Sequence, residues 1–307
     1  MTHAFQTGII PEASSDALFV TFNLVRDRVA QAKQALAAST DIIQAIEQQF
    51  PDASLCASIG LNHAVWPLFD DAKQPSGLAP FPHFKNQSVD VNETAGELVF
   101  HIRSMRRDVT FQLANALYQA FDQSLEIVEE VSCFKYLDNR DLTGFVDGTE
   151  NPEGEQRQQV ALVGKEDPDF EHGSYLNLMR FVHDLEKWEH QDLKSQEDVY
   201  GRTKYANEEY PSAQKSPHAH TKRTSLKDAN GQSLEILRHS MPFASLTEKG
   251  LMFASYSKTP SVFNLMLESM IKGDEEGHTD HLMKFTTAHT GNAFFIPPTS
   301  WLASLAD

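Results

Sequence analysis

Asp147 stands in "GFVDGTENPEGE", Gly144 to Glu155, between an apolar dipeptide and a glycine. An aspartate beside glycine commonly closes an Asx turn or caps a helix. The same carboxylate, held against a pocket wall by glycine-permitted backbone, can take up and return a proton. Local spacing leaves both readings open. Arg238, in "EILRHSMPF", interrupts a strand that is otherwise apolar at Ile236, Leu237, Met241 and Phe243. Arginine is seldom buried without an anion, so this position calls for a carboxylate, a phosphate or a developing oxyanion, or else for a structural ion pair.

Thirteen histidines are present. His218 and His220 in "SPHAHTKR" point the same way if the chain there is extended, which suits a two-histidine metal site. Two further readings stand beside it: solvated side chains in a polar segment, or one histidine acting alone as axial ligand to a haem iron. His278, His281 and His289 form a second group, with Asp280 between the first two. Phosphate-loop, Gly-x-Ser-x-Gly and CxxC motifs are missing, which argues against nucleotide, acyl-transfer and thiol-redox chemistry.

The elements that must position these groups follow from periodicity. Leu18, Val20, Phe22 and Leu24 alternate as in a half-buried strand. Val29, Leu36, Ile43 and Phe50 recur every seven residues, with Ala32, Ser39 and Ile46 between them, marking one face of a helix that Pro51 stops. "SLCASIGL", "GELVFHIRS" and "SLEIVEEVSCF" read as strands, and Val109 to Ala120 as an amphipathic helix. That order is β-α-β-β-α-β, the ferredoxin-like unit. After residue 150 it returns: "GSYLNLMRFV", "LEILRHSMPF", "KGLMFASYS" and "NAFFIPP" as strands, "HDLEKWEHQ" and "PSVFNLMLESMI" as helices. The expected fold is α+β, two tandem ferredoxin-like halves divided as 1–140 and 141–307. An irregular insert, Gln191 to Ala229, interrupts the later half, and a long connection, Asn62 to Thr94, is expected to serve as a binding loop. An Asn230-Gly231 turn leads into the strand carrying Arg238.

The chain of 307 residues carries a formal charge of -17, which disfavours a polyanionic partner such as nucleic acid. Cys56 and Cys133 lie in apolar settings and read as free thiols of a reducing compartment. Without a basic or twin-arginine leader, or a run of about 18 apolar residues, the expectation is a cytoplasmic protein that does not enter a membrane.

Together these stretches resemble the dye-decolourising peroxidases, within them the bacterial group without a Tat signal. "GFVDGTENP" is similar to that family's Gly-x-x-Asp-Gly signature, and the likeness runs through "QTGIIPE", "FHIRSMRRDV", "GSYLNLMRFVHDLEKW", "DVYGRTK", "EILRHSMPF" and "TGNAFFIPP". The resemblance implies haem b, held mainly by the C-terminal half, with hydrogen peroxide oxidising dyes, phenolics and similar one-electron donors. It places the family's distal aspartate on Asp147, followed by Gly148, and its distal arginine on Arg238. The family's proximal histidine precedes an arginine by three positions, which His220 does with Arg223, and Asp280 falls where relatives hydrogen-bond the proximal imidazole. Where some relatives carry asparagine two residues past the distal arginine, this chain has Ser240, a shorter donor. A distal aspartate implies an acidic activity optimum. Trp188, Trp301, Tyr175, Tyr200, Tyr205, Tyr210 and Tyr256 are candidates for carrying electrons to surface-bound donors. The resemblance also implies a homodimer or higher homo-oligomer. The rival readings are a haem-binding protein for porphyrin handling or iron release, a non-haem metal protein, and an interaction module without chemistry.

Overall fold

A computed structural model describes residues 3–306. Twelve strands form in chain order: β1 (Asp16–Leu24), β2 (Cys56–Leu61), β3 (Phe84–Lys85), β4 (Asp90–Val91), β5 (Leu98–Ser104), β6 (Leu125–Phe134), β7 (Ser174–His183), β8 (Leu237–Arg238), β9 (Met241–Ala244), β10 (Lys249–Ser257), β11 (Thr286–Ala288) and β12 (Asn292–Ile296). The helices are α1 (Val29–Gln49), α2 (Arg107–Ala120), α3 (Gln156–Ala161), α4 (Leu185–Glu189), α5 (Leu193–Tyr200), α6 (His220–Thr224), α7 (Ser261–Ile271) and α8 (Thr299–Ser304).

Ten strands make one antiparallel sheet whose main path runs β6-β1-β5-β2-β12-β7-β10-β8, with β9 on β10 and β11 on β7. Each half contributes the ferredoxin-like pattern, fourth strand beside first, first beside third, third beside second. The halves are joined where β2 meets β12 through the Leu61↔Phe295 pair. Phe295 is fully buried there, in contact with Trp66, Phe170 and Tyr175 at centroid distances of 5.6, 5.6 and 5.0 Å.

Helix α1 buries the face expected of it: Ala32, Leu36, Ser39, Ile43 and Ile46 face the sheet, packed with Leu113 and Leu117 of α2 and with Trp301 of α8. The chain also crosses between halves at its start. Gln6 donates to the carbonyls of Ile59 and Pro297, at 3.0 and 2.9 Å. Ile9 enters the apolar cluster formed with Leu176, Leu237 and Tyr256.

Two expectations change. The stretch "LEILRHSMPF" is not one strand. Its register against β10 is continuous from Arg238↔Ser255 to Met241↔Met252, yet the ladder breaks at Ser240, whose Oγ accepts from the Ala254 amide at 3.3 Å in place of a main-chain acceptor. The connection from residue 62 to residue 94 folds into the short β3-β4 hairpin and inserts Phe81 and Val91 into the core beside Met179 and Phe263. Its residues line neither of the two large cavities described below, while Gly77 to Pro80 and Pro82 line a smaller one.

Candidate active site

The loop that carries Asp147 is a closed hairpin. The Asp147 amide donates to the Asn139 carbonyl at 2.9 Å, Arg140 bridges to Val146, and the Asp141 amide donates to Phe145 at 2.8 Å. Gly144 and Gly148 have φ of +88° and +73°, the left-handed region that glycine enters without steric cost. The Gly148 amide donates to Asp147 Oδ1 at 2.7 Å. The carboxylate is thus fixed by the amide of the next residue, in a loop that the hairpin closes.

Asn151, four residues on, ties this loop to β8. Its side-chain amide donates to the Arg238 carbonyl at 2.8 Å and its Oδ1 accepts from the Arg238 amide at 2.9 Å. One asparagine thus mimics a neighbouring strand, spans 87 residues of sequence to Arg238, and ties the Asp147 loop to it.

Both side chains line a cavity of about 1190 Å³, measured to its open mouth, in the C-terminal half. Its apolar wall comes from Met179 and Phe181 of β7, Leu251 and Phe253 of β10, and Phe263, Met266 and Leu267 of α7. His220 reaches the cavity from the insert, as the first residue of α6. Its Nδ1 lies 2.7 Å from Asp280 Oδ2, and Asp280 is buried, its Oδ1 accepting from the Leu282 amide at 2.8 Å. That contact leaves Nε2 as the ring nitrogen free to meet a ligand.

His218 does not share this site. It stacks on His281 with ring centroids 4.0 Å apart and bonds the Thr279 carbonyl through Nδ1 at 2.8 Å. The extended-chain premise of a His218–His220 pair fails because His218 sits in a turn and α6 begins at His220. Among the described residues no group of three or more His, Cys, Asp or Glu side chains is placed to hold a metal ion.

Burial lifts the Asp147 carboxyl above the ordinary 3.8, with Arg238 pulling against that rise and Asp141 adding to it. Asp141 and its partners were not singled out by sequence reasoning. Asp141 Oδ1 is 3.0 Å from His183 Nε2, its Oδ2 accepts from Thr143 Oγ1 at 2.5 Å, and Thr143 Oγ1 meets the Tyr200 hydroxyl at 2.8 Å. Burial alone would raise the Asp141 carboxyl; the His183 charge and the bonds from His183 and Thr143 outweigh it and hold it below 3.8. Of the aromatic relay candidates, Tyr200 lines this cavity. Arg202, in "DVYGRTK", lines it as well, with Nη1 on Thr149 Oγ1 at 2.6 Å.

A second cavity of about 1260 Å³ abuts the first through Asp147, Gly148 and Arg238. Ser240 belongs to this second space and not to the lining of the first.

Two family models match the chain end to end: the N-terminal Dyp-type peroxidase model over residues 6–135 and the C-terminal one over residues 138–301. The chain belongs to the Dyp-type peroxidase family. A dye-decolorizing peroxidase of Mycolicibacterium paratuberculosis is 35% identical over 96% of this chain and 84% of its own length. A dyp-type peroxidase structure from Shewanella oneidensis shares 41% identity, covers 99% of both chains and superposes with a TM-score of 0.96. A Rhodococcus jostii DypB variant, solved in complex with haem, is 32% identical with full coverage of both chains and a TM-score of 0.95. The α+β fold of this Dyp-type peroxidase, a tandem of antiparallel ferredoxin-like halves, is thus the family's own. No described helix is long and apolar enough to cross a membrane.

Proposed function

We propose that this Dyp-type peroxidase binds haem b in the first cavity and uses hydrogen peroxide to oxidise dyes, phenols and similar donors. The balance is one peroxide and two phenols to two waters and two phenoxyl radicals. The observation that carries the reading is the convergence of Asp147, Arg238 and an Asp280-bonded His220 on one largely apolar cavity.

The residues present suit that cofactor. A flat apolar macrocycle fits walls of Phe, Met and Leu, and its carboxylates need cations. Arg202 and Arg238 each carry a buried Nε without a protein partner. His220, oriented by Asp280, is the side chain suited to ligate the iron, and the carboxylate fixes its ring orientation. Haem b, when bound, supplies the two-electron reduction of peroxide and the one-electron steps that follow.

Asp147 then moves the proton. Its carboxylate accepts it from the inner peroxide oxygen and delivers it to the outer one, directly or through a water. Arg238, always charged, stabilises the negative charge that grows on the departing oxygen. Gly148 keeps the backbone thin beside that site, and its amide fixes one Asp147 oxygen so that the other is free. We read residues 1–140 and 141–307 as the two functional halves, the haem belonging to the second. Buried, unpaired Cys56 and Cys133 support a cytoplasmic home.

The test is spectroscopic. The purified protein should show a Soret band that His220→Ala removes, and a peroxide-induced change in that band that Asp147→Asn slows while the band itself remains. A colourless wild-type protein that takes up no haem would overturn the reading.

A further inference from the structure

The second cavity lies at the seam of the halves and contains a charge that the protein leaves uncompensated. Arg103, on the central strand β5, is 3% exposed and lines it. Its Nε donates to Ser14 Oγ at 3.0 Å and its Nη2 to the Glu12 carbonyl at 3.2 Å, both neutral acceptors. Its Nη1 is buried without a partner, and among the described residues no carboxylate lies within 4.0 Å of its guanidinium. A buried cation without an anion is strongly destabilising unless something else supplies the charge.

Its neighbours sharpen the case. Arg157 of α3 is occupied by Glu12, at 3.1 Å, and by the Pro11 carbonyl, yet its Nε is also buried and unpartnered. Arg140 is held by Asp138. Lys135 and Arg238 add two further cations to the lining, against Glu12, Glu153 and Asp147 as its acids. Five cations thus face these three carboxylates, with Asp138 behind Arg140 as a fourth, in a chain whose overall charge is -17. His239, also on the wall, has one ring nitrogen on the Ile9 carbonyl at 2.9 Å.

We infer that this cavity binds an aromatic carboxylate, its carboxylate group on Arg103 and its ring extending toward Asp147 and Arg238. The space is open to solvent and has room for more than an inorganic anion. Tyr136, Pro152 and Met241 give it flat apolar surface beside the cations. A carboxylate oxygen is the charged acceptor suited to Nη1, the one guanidinium nitrogen of Arg103 without a partner. Because Asp147, Gly148 and Arg238 also bound the first cavity, a phenolic acid held this way is delivered to the oxidising centre. The assignment of this ligand as a reductant rests on the peroxidase reading; its binding does not.

Two donors separate these. Haem-loaded enzyme, at about pH 6 where a benzoic acid is ionised, is assayed with para-hydroxybenzoate and para-hydroxybenzamide, and benzoate binding is titrated by calorimetry without peroxide. The expected result is a KM for the carboxylate about tenfold below that of the amide, with benzoate competing against it. Arg103→Met should raise the carboxylate KM at least tenfold and leave the amide KM in place. If that variant does not fold, Arg157→Gln combined with Lys135→Gln should shift the same ratio. Equal KM values in the wild type, variants that shift both donors alike, or chloride competing as well as benzoate would each overturn the site. If neither donor is oxidised, the peroxidase reading falls, and the benzoate titration alone decides whether the anion site exists.

Discussion

Asp280 holds His220 across 60 residues of sequence, Oδ2 to Nδ1 at 2.7 Å, while its other oxygen caps the turn that begins at His281. A single buried carboxylate therefore sets both the ring orientation and the local backbone. Asp280→Asn should keep the ring in place and remove the negative charge behind it. The expected outcome is a haem affinity lower by about 10–100-fold and a more positive iron potential, measured by apomyoglobin competition and by redox titration. His220→Ala should abolish the Soret band outright.

Asp147 predicts the acid limb of the peroxide reaction. Its proton-accepting form is lost as pH falls through a value that burial has raised above 3.8. Stopped-flow rates should therefore decline toward acid around a single midpoint above that of a free aspartate. Asp147→Asn should lower the rate by about 10²–10⁴-fold and leave no such midpoint. A wild-type rate independent of pH from 3 to 7 would remove Asp147 from the role of proton carrier.

The buried Asp141–His183 contact makes a prediction about stability. The Asp141 carboxyl is held below 3.8 in the fold. Its contribution is in full above the unfolded value and disappears as pH falls through the folded one. Asp141→Asn should cost about 1–3 kcal/mol near neutral pH, and less toward pH 2. Thermal unfolding of both proteins across that range checks the sign.

Phe295 tests the joint between halves. Replacing it by alanine empties the space between Trp66, Phe170 and Tyr175 and should cost about 3–5 kcal/mol. Because the residue belongs to the core cluster that also contains Leu36 and Leu113 of the N-terminal half, calorimetry should show loss of stability in both halves together.

The elements were legible where burial is one-sided. The seven-residue spacing of Leu36 and Ile43 marks the buried face of α1, and the alternation of Val20 and Phe22 marks β1. Within the site, the turn chemistry of Asp147 and Gly148 could be read locally, whereas its union with Arg238 depends on Asn151 reaching 87 residues along the chain. The Asp141–His183–Thr286 chain joins the loop just before Gly144 to β7 and β11; Asp141 and His183 lie in or beside motif stretches, but no spacing in the sequence shows that the three side chains meet. Arg103 reads as one of three polar positions, with His101 and Ser104, in β5; only the packed halves reveal that it lacks an anion.

The order of the sheet bears on how the chain is made. Of the twelve strands β12 comes last in sequence, yet it lies in the middle, between β2 and β7. During synthesis the N-terminal unit can fold first, and β2 then presents a bare hydrogen-bonding edge until residues 292–296 emerge. Newly made chains crowded on a translating messenger would meet edge to edge in that interval. Slowing elongation just before the codon for Asn292 should therefore raise the insoluble fraction, whatever the stability of the finished molecule.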